Sequence, residues 1–545
     1  MNKAEGSIGA QPNKGPVWCK EIGQGIMMAY FIVIAVIYPF YAPGGYVQIG
    51  EEKYVFFRNV TLVTIAVMLL LILIWLLQKY SKGKLVELYQ HMSVSDWFAY
   101  GYLIVIMLSY LCSSYKTDAL WGVEGWHMGV VSQMMFVLLY FFISRFFACN
   151  HKWLFIWLTV AGGVFVLGIL NRYSVYPIAM EGQTETFIST LGNINWFCGY
   201  WAVIAPLGIT LYWCTDRTSV RIFAGIFSGV AMLAGITQGS SSAYLVYLAV
   251  FGVLLIFSVQ SNEKLFRFLE VGMIFAVSCV IGRIMRYMPG LRYNYGNNIY
   301  PTGSHITDLL LDENTALWLL AGMAVCYGLL YAVQKYRGFQ MGEHRTFQRY
   351  SGAALVFLYV VLTVIFLRNS DMLNCNKEVD ETVAYRNGGV IFRDDWGNSR
   401  GAAWNCGIGA YRSMDMVHKT VGIGPDCFAD YVYEIPELAE RLVDQFGNER
   451  LTNAHNEWLT VLVNTGWLGV FCYAGIFITV WIRCVRRAKG QPLLYVCAIS
   501  ILAYTVHNMV SFQQILSTPY IFIVLGMGEG LLRRTETESE STELV

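Results

Sequence analysis

Long apolar runs broken by short polar stretches fill the chain from about residue 24 to residue 532. A helix needs about 20 apolar residues to cross the hydrocarbon core of a bilayer. By that rule the pattern predicts about fourteen spans, at 24–42, 55–78, 97–114, 127–148, 153–171, 195–214, 221–238, 241–259, 266–284, 315–334, 350–368, 466–483, 493–510 and 515–532. The stretch 222–260 carries no charged residue. At about 1.5 Å per residue it is too long for one crossing, and Gly239-Ser240-Ser241-Ser242 splits it into a tight hairpin. The expected architecture is an all-α polytopic integral membrane protein with about 12–14 transmembrane helices. Its parts are a leading segment 1–23, a helix bundle 24–368, one large polar loop 369–454, further spans over 455–532, and an acidic, Ser/Thr-rich tail 533–545 expected to be disordered.

Composition narrows the class. Of 545 residues, 56% are apolar and 14% charged, against about 25% charged in an ordinary soluble domain. That excludes a cytosolic enzyme, a secreted module and a disordered scaffold. A net charge of +1 offers nothing to a nucleic acid. Lys and Arg alternate between loops: 22 fall at the N-terminus, the C-terminus and every second loop, and 7 in the short loops between, the large loop being left out. The bias puts both termini in the cytoplasm and the large loop outside the cytoplasmic membrane. Lys3, Lys14 and Lys20 precede an apolar run with no small-residue cleavage site, so the first span reads as retained. The sequence has no nucleotide-binding glycine motif and no Cys/His spacing for zinc. No metal and no cofactor is therefore expected, and a site in the loop must use a substrate that arrives already activated. Of the thirteen cysteines, Cys375, Cys406 and Cys427 fall in the loop. They allow one disulfide with a thiol left over, or three thiols.

The loop is rich in aromatics, among them Trp396, Trp404, Tyr411 and Phe428. Such rings stack on sugar faces or anchor a loop at the membrane interface. Gly401–Ala410 and Pro436–Phe446 have the apolar content of short helices. The loop ends in Asn453-Ala454-His455-Asn456-Glu457-Trp458, and Gly466 follows. Asn453 is a good helix N-cap, which puts His455 in a first helical turn and makes Gly466 the stop. The positive end of that helix disfavours an imidazolium, leaving the ring neutral and able to take a proton. The plain alternative is a polar residue at the start of an interfacial helix.

These residues carry a resemblance. His455-Asn456, nine residues, then Gly466 resembles the signature of the O-antigen ligase and O-antigen polymerase superfamily. Val421-Gly-Ile-Gly-Pro-Asp-Cys-Phe428 is similar to its Gly-x-Gly-Pro-x-x-Phe segment, and Arg400-Gly-Ala-Ala-Trp404 to its Arg-x-x-x-Trp element. Gly192-Asn-Ile-Asn195 resembles a family span start; Leu120–Gly125, His507-Asn508 and Thr518-Pro519 also fit. The likeness runs over roughly 110–530. One position departs from it: the family's turn reads Gly-Ser-Arg-Ser, and here Ser241 stands where the arginine would be.

The resemblance implies a metal- and nucleotide-independent membrane glycosyltransferase. Its donor is an undecaprenyl-pyrophosphate-linked glycan, and its acceptor a glycan, a lipid-glycan or a protein hydroxyl. His455 is then the catalytic base. Arg400 binds the pyrophosphate, the rival reading being an ion pair with Asp394 or Asp395. Arg172 and Arg292 are candidates to replace the missing turn arginine, with anchoring at the interface as the alternative. Asn456, Trp404, Asp426 and His507 complete the candidate substrate-binding set. Glu457 either orients an acceptor or faces water. Ligase, polymerase and protein O-oligosaccharyltransferase share these features. A transporter or lipid flippase also suits this many spans, but the spans hold few charges and no visible repeat. A sensor would need more than a short charged tail for output.

Overall fold

The computed structural model describes residues 17–80, 92–184, 187–293, 305–312, 314–338, 384–387, 390–394 and 396–543, with single positions at 340, 353 and 357. Before the large loop come α1 (Val17–Ile32, prolonged by a π turn and a 3-10 turn to Phe40), α2 (Ile49–Tyr80), α3 (Val94–Cys112), α4 (Lys116–Trp121), α5 (Val130–Phe146) and α6 (His151–Arg172). A small antiparallel hairpin, β1 (Phe187–Ile188) with β2 (Gly192–Asn193), leads into α7 (Ile194–Cys214). Then follow α8 (Thr218–Thr237), α9 (Ser241–Ser258), α10 (Asn262–Tyr287), α11 (His305–Asp312) and α12 (Thr315–Arg337). The loop forms a second hairpin, β3 (Ala384–Asn387) with β4 (Val390–Arg393), and four helices: α13 (Trp396–Ser413), α14 (Met416–Val421), α15 (Phe428–Tyr433) and α16 (Pro436–Phe446). The chain closes with α17 (Glu457–Arg487), α18 (Leu493–His507) and α19 (Thr518–Glu543).

Among the described residues ten helices are long and apolar enough to cross a membrane, and α5 and α18 are shorter apolar helices. The protein is thus an all-α multi-pass membrane protein. Every predicted span has a helix in its place except 350–368, of which only Ala353 and Phe357 are among the described residues. The tail departs from expectation: α19 runs on to Glu543. Ion pairs hold its start, with Arg533 bonded to Asp96 and to Glu529 (3.3 Å), and Glu536 to Arg483 (3.2 Å).

Burial grades the spans. In its most apolar window α7 is 89% buried, and α12 only 6%. α7 is therefore the central post, packed on α8 and α18, while α12 lies at the edge against α10. At the end away from the large loop, buried Asp96 and Glu529 are met by Arg145 (3.1 Å), Arg533 and Arg483 (2.5 Å), which ties α3, α5, α17 and α19 together. Breaking such a buried pair costs more than a surface pair is worth.

At the loop end, α17 is broken where the sequence predicts a stop. Gly466 has φ +69 and ψ −178, after which the helix resumes. A break inside a membrane helix frees carbonyls that must find partners. The Gly422–Gly424 segment supplies them: Ile423 N donates to Val463 O (3.3 Å) and Gly424 N to Asn464 O (3.0 Å), while Ser109 Oγ also reaches Asn464 O (2.7 Å). Two glycines make the approach possible. A Cβ on Gly466 would lie 2.2 Å from Thr420 O, and one on Gly422 2.2 Å from the Asn464 carbonyl carbon.

Gly466→Ala is therefore expected to destabilise the detergent-solubilised protein by at least about 3 kcal/mol, since a side chain at that φ/ψ is strained before any clash is counted. Gly322→Ala, with open space around its Cβ, is the control that should unfold at the wild-type temperature. Equal melting temperatures for the two variants would refute this account of the break.

Candidate functional site

His455 does not enter the helix. Its backbone is left-handed (φ +48), and Asn456 is the N-cap of α17, accepting from Leu459 N through Oδ1 at 3.1 Å. Asn453 instead folds the preceding turn, accepting from His455 N at 3.0 Å, and Ala454 N is tied to Thr460 Oγ1 (3.0 Å). The reason is local. Thr460 bonds back to Asn456 O (2.9 Å) and so fixes the first turn three residues later than expected. His455 is thereby held just ahead of the positive helix end.

The imidazole packs between aromatic rings. Its centroid lies 5.2 Å from Phe512 and 6.4 Å from Phe446. The row continues from Phe512 to Trp126 (4.9 Å) and on to Trp196 (6.1 Å). No hydrogen-bond partner occupies either ring nitrogen of His455 among the described residues. Burial, with the Arg400 guanidinium nearby, pushes its pKa down to about 4. The ring is therefore neutral at physiological pH and holds a free lone pair.

Arg400 projects from the start of α13. Its Nε donates to Val510 O (3.0 Å) and its Nη1 to Gly397 O (2.6 Å). The rival ion pair with Asp394 is not formed: Asp394 accepts from Arg441 (2.7 Å) and Asn405 (2.9 Å); Asp395 lies outside the described residues. Burial lowers the Arg400 pKa, as expected for a guanidinium that meets carbonyls and no carboxylate. Trp404, one turn further on, packs on Trp396 at 5.3 Å.

Other candidates take different places. Asp426 (φ +65) is a tether, its Oδ2 accepting from Val123 N (2.8 Å) and Met128 N (2.9 Å). It also lines a small cavity shared with Asn453, Glu457, Asn464, Trp126, Phe512 and Gln513. Burial pushes its carboxyl up to about 7 against the pull of the two N–H donors. His507 is fully buried, with Nδ1 on Asn508 Oδ1 (2.6 Å). Arg172 is buried at the Gly239 turn and donates to Gln238 O (2.8 Å). Arg292 is exposed, and its carbonyl accepts from Ser174 Oγ (2.8 Å) two residues beyond Arg172. Cys406 and Cys427 are separate buried thiols; Cys375 lies outside the described residues. No group of three or more His, Cys, Asp and Glu is gathered as a metal would need, among the described residues.

Sequence reasoning missed two features. Glu457 is wholly buried among Tyr473, Tyr504 and Asn508, and it lines the same cavity as Asp426 and Gln513. Near the aromatic row, His127 bonds Glu51 (2.7 Å) and stacks on Tyr54 at 3.8 Å. The polar pair Gln513-Gln514 in an apolar setting was the available sign of the first; nothing in the sequence pointed to the second.

Residues 306–474 match the family model described as O-antigen ligase. The matched segment holds Arg400, Trp404, Asp426, His455 and Asn456, while Arg172, Arg292 and His507 lie outside it. No curated protein matches the chain.

Asp426→Ala would leave two buried N–H groups without an acceptor, at about 1–3 kcal/mol each. It is expected to lower the unfolding midpoint, while Asp426→Asn, which keeps an acceptor oxygen, should stay near wild type. An alanine variant as stable as the asparagine variant would show that the tether contributes nothing.

Proposed function

We propose that this O-antigen-ligase-type membrane protein transfers a glycan from an undecaprenyl-pyrophosphate carrier to an acceptor hydroxyl at the outer face of the cytoplasmic membrane. The observation that carries the reading is the pair formed by His455 and Arg400: among the described residues, a neutral imidazole with no partner on its ring nitrogens, near a partly desolvated guanidinium with no carboxylate partner. Both residues fall within the segment that matches the ligase family.

The chemistry follows from those charges. The acceptor oxygen attacks the anomeric carbon of the donor. A new carbon–oxygen bond forms as the bond to the pyrophosphate oxygen breaks. The hydroxyl proton passes to His455, a step worth roughly 10²–10⁴ in rate for a well-placed base. The departing pyrophosphate gains negative charge, which Arg400 stabilises through a planar fork suited to paired phosphate oxygens. Trp404 and Asn456, whose Nδ2 is not used in capping, flank the pair as sugar contacts. His507 lies behind it, close enough for the Arg400 charge to act on it. Arg172 and Arg292 bring cations to the turn that lacks its own. Nothing in these steps calls for a nucleotide or a metal.

The test is a deletion strain complemented with wild type, His455→Ala or Arg400→Ala at matched expression. Polyprenyl-linked oligosaccharides and surface glycan are profiled from each. Both variants should accumulate carrier-linked glycan and lose the surface product, with transfer down by about 10² or more. Accumulated single repeats identify a polymerase, and accumulated full chains a ligase. Normal consumption of the carrier-linked glycan by His455→Ala would sink the assignment.

The pH profile gives a second test. His455 works as a base only when neutral, so its depressed pKa places the acid limb of kcat/KM near 4, with no His455 limb near an ordinary histidine's 6.5. Removing the neighbouring cation with Arg400→Gln should raise the imidazole pKa and move the limb upward. A limb that stays put in that variant would separate the two residues electrostatically.

A further inference from the structure

Segment 508–513 touches both members of the pair, through Val510 O on Arg400 and Phe512 on His455. It is irregular backbone between α18 and α19, and such a segment needs a reason to hold one conformation. Glu457 supplies it. Its backbone N–H donates to Asn508 O (2.9 Å). Its carboxylate accepts from Tyr473 (2.6 Å), from Tyr504 (2.9 Å) and from Asn508 Nδ2. Gln513, at the far end of the segment, donates to Tyr473 Oη (2.9 Å) and so joins the same cluster. We propose that Glu457 is the positioning residue of the site: its buried carboxylate clamps both ends of segment 508–513, and that segment sets His455 against Arg400. The inference rests on the roles given above to His455 and Arg400.

A carboxylate suits the place because three donors converge on two oxygens. Glutamine of the same size loses a bond in either orientation: its NH2 meets Asn508 Nδ2, donor against donor, or it meets the Tyr473 hydroxyl, which already accepts from Gln513 and can then no longer donate to residue 457. Reversing the polarity on both sides repairs this, since an aspartate at 508 accepts what the glutamine donates, and the Tyr504 hydroxyl can rotate to Thr518 Oγ1, 3.3 Å away. Asn508 also orients His507, whose Nδ1 faces its Oδ1; an aspartate oxygen there still accepts.

The experiment uses the full-length protein in detergent with carrier-linked glycan extracted from the deletion strain. Wild type, Glu457→Gln, the double variant Glu457→Gln/Asn508→Asp, and Tyr504→Phe are compared for kcat, donor KM and melting temperature. Glu457→Gln should lower kcat about tenfold or more, because a small displacement of a reacting group is enough for that. Donor KM and melting temperature should stay near wild type, and the double variant should regain most of the lost kcat. A wild-type kcat in Glu457→Gln overturns the proposal. So does a double variant that melts normally and stays slow. If Glu457→Gln does not fold, Tyr504→Phe, which removes one donor and keeps the carboxylate, is read in its place: a partial fall in kcat at unchanged KM supports the clamp, and an unchanged kcat overturns it. A His455→Ala protein with full activity would instead remove the parent reading, whatever the Glu457 variants do.

Discussion

A chain inside a bilayer has no water to satisfy its backbone, so irregular backbone is confined to the ends of the bundle or to places where protein covers it. That constraint decides where chemistry can sit. Among the described residues the non-glycine positions with positive φ are Gln48, His127, Ser174, Ser189, Ser399, Asp426 and His455. Following the spans up and down, every one falls at the end that carries the large loop. Left-handed non-glycine residues persist only when their surroundings over-determine them, and they gather at functional sites. His455 is held this way by Asn453 before it and the capped α17 after it. The break at Gly466 belongs to the same economy: its freed carbonyls are taken up by the Gly422–Gly424 segment, and the loop is thereby docked on the helix that begins beside the histidine.

The two ends of the bundle treat charge differently. At the far end, buried Asp96 and Glu529 face Arg145, Arg533 and Arg483 in direct ion pairs. Those groups are neutralised in place and hold helices together. At the loop end, among the described residues, Arg400 is desolvated yet meets only carbonyl oxygens, and His455 is desolvated yet meets no acceptor or donor at its ring nitrogens. A carbonyl offsets part of a guanidinium's lost hydration but none of its net charge. The positive potential therefore remains to act outward on an anionic group, and it adds to burial, the larger cause, in holding the His455 pKa down. Perturbed groups of this kind mark functional sites more often than structural ones.

How much was legible depended on the range of the interaction. Span positions were readable because hydropathy is a local sum over about 20 residues. The signature around His455, Arg400 and the Gly422–Gly424 segment was readable as a pattern, but its geometry was not. Asn453 and Asn456 are both good caps by type, and the choice between them was made by Thr460 bonding back to Asn456 O. The composition of the tail says disorder, but its first residues continue α19 and are held by Arg483 and Asp96, which are distant in sequence. Asp426 reads as a sugar ligand from its motif, and its tethering of Val123 N and Met128 N could not be read beside that, since those partners lie some three hundred positions away. Glu457 was undecidable for the same reason: a carboxylate at the start of a span looks solvent-facing until the tyrosines from α17 and α18 are placed around it.

The turn at Ser241 lacks the arginine of the pattern it otherwise resembles, and two arginines from other segments lie near it. A cation in the α8–α9 turn needs no particular backbone to carry it; it needs a guanidinium at that depth and that end of the bundle. α6 ends alongside, and Arg172 from its last turn donates to Gln238 O, the residue just before Gly239. The segment after α10 arrives from the other side, with Tyr293 bonded to Thr237 O and Arg292 exposed next to it. The turn itself is small, with Ser240 and Ser242 bonded to each other at 2.8 Å, which leaves room for these neighbours to close on it. From there the contacts run through α7, whose Asn195 O accepts from Gln514, to the segment that carries Phe512 and Val510. An arginine at the end of the adjacent helix puts positive charge at the same end of the fold as His455 and Arg400, at a position that a search by motif along the turn does not see.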